Sequence, residues 1–349
     1  MIQITRTEES RLPVFNFDHI VFGKEFTDHM LRADWKHGEW SDPEIIPYGP
    51  ITMSPGAPVF HYGQAFFEGM KAYRHPEKDE VYLFQPEKNF ERFNRSAVRM
   101  NMPEIPYEHF IDGIKSLVNL ERGWVKSGLD RALYIRPFMF GNGIQVAARS
   151  AEAFSFMVLT CPVMAYYTTP VRVKIETEFS RAAPGGTGYA KCAGNYGGSF
   201  YPARLAQEQG YHQVLWTDAC THERIEESGT MNVMFRIDDV LITPPVSQTI
   251  LKGVTRGAIV QLAQDFGYRV EERQITVREI LEAARNGTLK EAFGIGTAAV
   301  VSPIEAIGHR EDDFILPVID QPVSARLKEK LLRIQHGLDE DPYGWRVTL

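Results

Sequence analysis

Between Pro184 and Gly198 the chain reads PGGTGYAKCAGNYGG, six glycines in fifteen residues around a single lysine, Lys191. Glycine has no side chain, so this density lets a neighbouring group lie close to the backbone, with an amine at that place. The chain as a whole has 28 glycines in 349 residues, so the bias is local.

Two phosphate-binding loops fail at their diagnostic positions. A Walker A loop needs glycine before its lysine and a hydroxyl after it, where Ala190 and Cys192 stand. A G-x-G-x-x-G fingerprint starting at Gly186 would need its third glycine at Lys191. A lysine among Gly and Ala, with Tyr189 and Tyr196 nearby, suits Schiff-base chemistry instead. That chemistry needs a neutral amine, favoured by partial burial, and small neighbours that let a flat cofactor lie close. A solvated loop lysine is the alternative.

At roughly 150 residues per domain, the length predicts two domains with substantial cores. Hydrophobic residues make up 44% and charged residues 24%, which excludes a disordered, collagen-like or coiled-coil chain. Lys and Arg number 38 against 45 Asp and Glu, a net charge of −7 that offers no general attraction for nucleic acid. Three distant cysteines, Cys161, Cys192 and Cys220, argue against a disulfide framework and for a reducing, cytoplasmic setting. No stretch reaches the ~18 apolar residues of a membrane span, so no membrane association is expected. The ten histidines lack metal-like spacing, and no metal is expected.

The pattern predicts a mixed α/β chain. A strand over 81–85 is followed by a helix over 88–101, with Phe90, Phe93, Ala97 and Met100 at i, i+3, i+7 and i+10. A second helix is expected from Tyr107 to Lys126, then strands over 131–140 and 153–161. The stretch PVMAYYTTP, bounded by Pro162 and Pro170, lacks any period and reads as an interdomain connection. Further strands are expected over 171–176, 212–217, 231–237 and 240–243, and helices over 198–209, 254–266 and 324–335. The domains are then 1–163, an interdomain loop over 164–170, and 171–349.

Four motifs follow in order: KCAGNYG, EESGTMN, LKGVTRG and FGIGTAAVVSP. VFGKEFTDHM, HYGQAFFEGMKAY and LYIRPFMFGNG precede them. Together they resemble the branched-chain aminotransferases, pyridoxal 5′-phosphate enzymes of fold type IV, from about Phe22 to the C-terminal QHG…W segment. The resemblance implies a smaller N-terminal α/β domain, a larger cofactor-binding domain with a barrel-like sheet, an active site between them, and a homodimer. It also implies transfer of the amino group from leucine, isoleucine or valine to 2-oxoglutarate, so the expected partners are small amino and 2-oxo acids.

By the same resemblance, Lys191 bonds to the cofactor's C4′ and then moves the proton between Cα and C4′. Glu227 matches the carboxylate that pairs with the pyridine nitrogen, whereas Glu223 and Glu226 read as surface acids. Tyr196 matches the phenol bonded to O3′. Arg92, Arg95 and Arg99 share roughly one helix face, and periodicity cannot choose among them. The resemblance selects Arg92 for the phosphate, with the amides of Val254 and Thr255 at a helix start and the hydroxyl of Thr297. The amides of Thr297 and Ala298 would hold the α-carboxylate. Phe22, Tyr62, Phe67 and Tyr134 match the side-chain pocket, although each could equally be a core aromatic. Arg136 matches the cation for the distal carboxylate of glutamate. Some relatives carry a Cys-x-x-Cys pair where this chain has Ala299 and Ser302, which removes thiol regulation at that place. Cys192 reads as a small packing residue. Other fold type IV enzymes, D-amino-acid aminotransferases and aminodeoxychorismate lyases, would keep Lys191 and Glu227 but change the carboxylate and side-chain determinants. A non-catalytic phosphate-binding module is the rival from another class.

Overall fold

The computed structural model describes residues 2–164 and 169–349. The centre of the expected interdomain connection, 165–168, lies outside the described residues. The chain divides into two compact units, one of Met1–Tyr166, Ala190–Ala193 and Arg333–Leu349, the other of Tyr167–Tyr189 and Gly194–Leu332.

The first unit carries β1 (Gln3–Ile4), β2 (His29–Lys36), β3 (Glu39–Trp40), β4 (Glu44–Pro47), α1 (Pro58–Tyr62), β5 (Ala65–Phe67), β6 (Met70–Arg74) and β7 (Val81–Phe84). After these come α2 (Pro86–Arg99), α3 (Gly113–Leu120), β8 (Ala132–Gly141) and β9 (Phe154–Val163). The remaining elements are β10 (Val171–Ile175), α4 (Ala193–Gly197), α5 (Phe200–Glu208), β11 (Gln213–Thr217), β12 (Ile225–Ser228), β13 (Asn232–Ile237) and β14 (Val240–Thr243). They continue with α6 (Val254–Asp265), β15 (Arg269–Glu272), α7 (Val277–Arg285), β16 (Leu289–Gly296), β17 (Val300–His309), β18 (Asp312–Ile315), α8 (Val323–Gln335) and β19 (Arg346–Thr348).

Ten strands of the first unit form one sheet in the order β1-β4-β2-β9-β8-β6-β7-β19, with β3 on β2 and β5 on β8. Its long central pair, β8 and β9, runs antiparallel over ten residues each. Residues 346–348, the last strand of the chain, pair with β7 of this sheet. Helix α2 starts at a proline, whose missing N–H and fixed φ suit a first helical position. The apolar spacing read in the sequence buries Phe93 and Ala97 completely and packs Phe90 and Met100 against the same core. Phe93 meets Phe66, Phe110 and Phe156 with ring centroids 4.6, 5.1 and 5.4 Å apart. This cluster fixes α2 against β5, and both elements support the lysine described below.

The expected 107–126 helix is three short pieces: a π-helical turn over Glu108–Asp112, α3, and a 3₁₀ turn over Arg122–Trp124. In the second unit nine strands form a sheet ordered β12-β11-β10-β17-β16-β13-β14-β15, with β18 on β17. Strand β10 is parallel to both neighbours, and β14 to β15. Its core joins Val173, Leu215, Val233 and Phe235 to Ile280 of α7. Among the described residues, no helix is long and apolar enough to cross a membrane.

Candidate active site

In the first unit, the main chain at Lys191 is clamped on both sides. Its N–H donates to Ser96 Oγ on α2 at 3.0 Å, and its carbonyl accepts the N–H of Phe67 on β5 at 3.1 Å. Next to it, Cys192 forms a β-bridge with Phe66 and is buried, as a packing residue would be, and burial pushes its thiol up to about 11. The Lys191 side chain is half-buried, and its Nζ lies 5.0 Å from the centre of the Phe67 ring.

Phe67 touches a second cation. The guanidinium of Arg136 lies 4.5 Å from its ring centre and 5.2 Å from that of Tyr134, and Arg136 Nη2 donates to the Tyr134 hydroxyl at 3.0 Å. Phe22 packs on Tyr134 with centroids 5.1 Å apart. Arg136 Nε is buried and makes no hydrogen bond among the described residues. A side chain on Gly69 would place its Cβ 2.1 Å from the Tyr134 hydroxyl, so only glycine lets that phenol sit there. Five of the expected residues, Phe22, Phe67, Tyr134, Arg136 and Lys191, are thus one connected group. Tyr62 is placed differently: it is 45% exposed at the end of α1, and its hydroxyl donates to the Val146 carbonyl.

Of the three arginines on α2, Arg92 is buried, and Arg95 and Arg99 are half-buried. Arg92 makes a two-pronged ion pair with Glu68, Nε to Oε1 at 2.6 Å and Nη2 to Oε2 at 2.8 Å. Two of its five N–H donors are used there. Glu68 also accepts from Asn89 Nδ2 at 2.8 Å and from the Gly69 N–H at 3.1 Å. Burial alone would raise the Glu68 carboxyl, but Arg92, helped by Lys191 and Asn89, holds it below the usual carboxylate range. Sequence reasoning missed Glu68, although it stands in the quoted EGMKAY.

In the second unit, Glu227 lies buried on β12. Its Oε1 accepts from the Leu251 N–H at 2.7 Å and from Asn232 Nδ2 at 3.3 Å, and Oε2 lies 3.0 Å from Arg181 Nε. The expectation that Glu226 is a surface acid is overturned. It is 6% exposed, burial pushes its carboxyl up to about 7, and Thr249 donates to it. All four residues of β12 are buried, so the usual alternation of inward and outward side chains does not apply there. Glu223, before the strand, is exposed as expected.

Asn232, another residue the sequence did not single out, gathers the remaining pieces. Its amide also donates to the Leu251 carbonyl at 3.0 Å, and its backbone pairs with Ile295. Three residues beyond Leu251, α6 begins after Gly253 with no side chain capping it. Uncapped amides and the helix dipole at Val254 and Thr255 suit an anion. Just beyond Ile295, Thr297 and Ala298 form the turn between β16 and β17. Val300 closes that turn at φ +61°, a left-handed conformation that costs a β-branched residue about 1–3 kcal/mol. Tyr196 is half-buried on α4. Its neighbour Asn195 bonds Thr187 twice, 2.6 Å to the hydroxyl and 2.9 Å to the carbonyl.

The family model for class IV amino-transferases matches residues 65–307. The branched-chain-amino-acid aminotransferase 2 of Bacillus subtilis is 40% identical, covering all of this chain and 96% of that one. A crystal structure of the branched-chain aminotransferase from Thermoproteus uzoniensis with norvaline matches with TM-score 0.74 at 26% identity, covering 90% of this chain and 98% of that one. A further branched-chain amino acid aminotransferase structure, complexed with N-(5′-phosphopyridoxyl)-L-glutamate, matches at 25% identity and TM-score 0.71, covering 90% and 97%.

Proposed function

The chain belongs to the class IV amino-transferases, and from that premise we propose that it transfers the amino group between L-leucine, L-isoleucine or L-valine and 2-oxoglutarate. The products are branched 2-oxo acids and L-glutamate, and the cofactor is pyridoxal 5′-phosphate. The observation that carries the reading is the shared ring of Phe67, 5.0 Å from the Lys191 amine and 4.5 Å from the Arg136 guanidinium. An amine for proton transfer and a cation for a distal carboxylate stand against one apolar wall, which suits an aliphatic side chain and glutamate alike.

The donor set fits the cofactor. An uncapped helix start and Arg92 suit a phosphate, and a buried carboxylate anchored by a main-chain N–H suits a protonated ring nitrogen. In this assignment Arg92, the amides of Val254 and Thr255 and the hydroxyl of Thr297 hold the phosphate. Tyr196 donates to O3′ and Glu227 keeps the ring nitrogen protonated. When bound, pyridoxal phosphate supplies the sink for the electron pair left as the Cα proton departs. Lys191 anchors the cofactor, takes the proton from Cα and returns it to C4′. The amides of Thr297 and Ala298 orient the α-carboxylate. Phe22, Phe67 and Tyr134 exclude water and bury the side chain, each CH₂ contributing about 0.8 kcal/mol. Arg136 pairs with the γ-carboxylate when glutamate takes the same place.

We also assign the working form to a homodimer: Phe60, Tyr62, Ile144 and Val146 are exposed apolar side chains of the first unit, as a surface covered by a second copy requires. Sedimentation of the purified protein tests this, and a monomer at working concentration would refute it. The activity is tested with L-leucine, L-glutamate and D-alanine against matched 2-oxo acids, and by borohydride reduction followed by peptide mapping. Leucine–glutamate exchange and a cofactor fixed to Lys191 are expected. D-alanine turnover without L-leucine turnover, or a protein that takes up no pyridoxal phosphate, would overturn the proposal.

A further inference from the structure

Arg181 lies ten residues before Lys191 and has no place in the assignment above. Its side chain is 7% exposed, and that of its partner Glu227 is 5% exposed. Burying a guanidinium to this extent is costly unless its charge is matched and its N–H groups are used. The charge is matched, and Nη2 is used twice. Nε faces Glu227 Oε2 at 3.0 Å, and Nη2 donates to the carbonyl of Gly188 at 3.2 Å and to that of Thr249. Three separate segments therefore meet on one side chain: the glycine-rich stretch, β12, and the approach to α6. Gly188 has to be glycine for this contact, because a Cβ there would stand 2.8 Å from the Thr249 backbone.

The local charges show what the contact does. Glu226 and Glu227 are neighbours in sequence, both are buried, and Thr249 donates to Glu226. Two carboxylates taken out of water side by side cannot both stay ionised without a cation. Arg181 is a cation that pairs with Glu227 directly and acts on Glu226 through its charge, whereas Asp218 adds to the negative field. Removing Arg181 would leave the buried couple without its paired cation and Glu227 without the group that aims it, and a Glu227 that came to share a proton with its neighbour could no longer hold a protonated ring nitrogen.

We propose that Arg181 is a positioning residue that keeps Glu227 charged and aimed while bracing the backbone of Gly188 and Thr249 around the cofactor. This rests on the reading of Glu227 as the partner of the ring nitrogen. The test is a double-mutant cycle of Arg181→Gln and Glu227→Gln. It reads the affinity of the apo-protein for pyridoxal phosphate, the pH at which the bound cofactor's absorption titrates, and the single-turnover rate with L-leucine. Arg181→Gln should weaken cofactor binding about 10-fold, move the titration midpoint and slow the half-reaction 10- to 100-fold, as loss of a charged partner predicts. In the Glu227→Gln background the same change should alter the half-reaction by less than about 3-fold, because the two act as a unit. Additive effects, or an Arg181→Gln protein with wild-type titration and rate, would overturn the proposal. Arg181→Lys, which keeps the charge but not the fork, provides a better-tolerated variant. Its rate should fall between wild type and Arg181→Gln, and wild-type titration and rate would also overturn the proposal. If Glu227→Gln itself matched wild type, the assignment of Glu227 would fail; a clear Glu227→Gln effect with additivity would sink Arg181 alone.

Discussion

Replacing Glu68 by glutamine removes one charge from the most deeply buried ion pair near Lys191 while preserving its shape. Glu68 is fully buried, and Arg92 meets it at 2.6 and 2.8 Å. Glutamine keeps one acceptor oxygen but presents an amide N–H₂ to one prong of the guanidinium, leaving Arg92 charged and poorly matched. Breaking a buried pair in this way costs about 3–5 kcal/mol, far more than the pair adds relative to an apolar substitute. The apo-protein should show that loss in urea unfolding followed by tryptophan fluorescence. Trp35, Trp40, Trp124 and Trp345 of the first unit dominate that signal, with Trp216 alone in the second. The Glu68→Gln/Arg92→Gln double variant should be less destabilised than Glu68→Gln alone, because no unmatched charge remains. Acid behaviour gives a second reading. The folded Glu68 carboxyl sits below its ordinary value of 4.5, so it contributes stability above that value and loses it as pH falls through the lower folded one. Wild type should therefore lose stability more steeply than Glu68→Gln below about pH 4.5. A loss under about 1 kcal/mol, or parallel acid profiles, would refute the reasoning.

Three other outcomes are expected. Lys191→Ala should bind pyridoxal phosphate without a covalent link and lose transamination by several orders of magnitude; near-normal turnover would remove Lys191 from the chemistry. Arg136→Gln should lower kcat/KM for L-glutamate about 100-fold while changing that for L-leucine less than about 5-fold, and equal losses would show a structural role. Iodoacetamide at pH 8 should label exposed Cys220 readily. It should spare Cys161 and Cys192, whose thiols burial pushes up to about 11, leaving ~0.1% thiolate, and rapid labelling of either would contradict that burial.

Local patterns were legible where one period governed the environment. The apolar spacing over Phe90–Met100 placed α2, and the run over Val240–Thr243 coincides with β14. The π-helical interruption at 108–112 left no comparable trace. Strand β12 was missed because IEES presents three polar residues in four, yet all four are buried. Their partners come from far along the chain: Thr249 for Glu226, and Leu251 and Arg181 for Glu227. The same distance hid Glu68 and Asn232. A charged or amide side chain looks like surface until the partner that satisfies it is known, and that partner is set by topology. Motif resemblance could assign Lys191, Glu227 and Arg92, but it could not show what holds each of them.

The supports explain why so flexible a composition surrounds the lysine. The backbone of Lys191 is tied to Ser96 and Phe67, and that of Gly188 to Arg181. Ser96 in turn donates to the Arg92 carbonyl, so the helix that presents Arg92 also fixes the height of the lysine. Glycine at 188 is then a requirement of close approach rather than a source of mobility. From that fixed root the Lys191 side chain carries its amine on four methylenes. In the proposed reaction Lys191 must reach two carbons in turn, and a fixed root with a long side chain serves that better than a moving loop, which would surrender the alignment on which proton transfer depends.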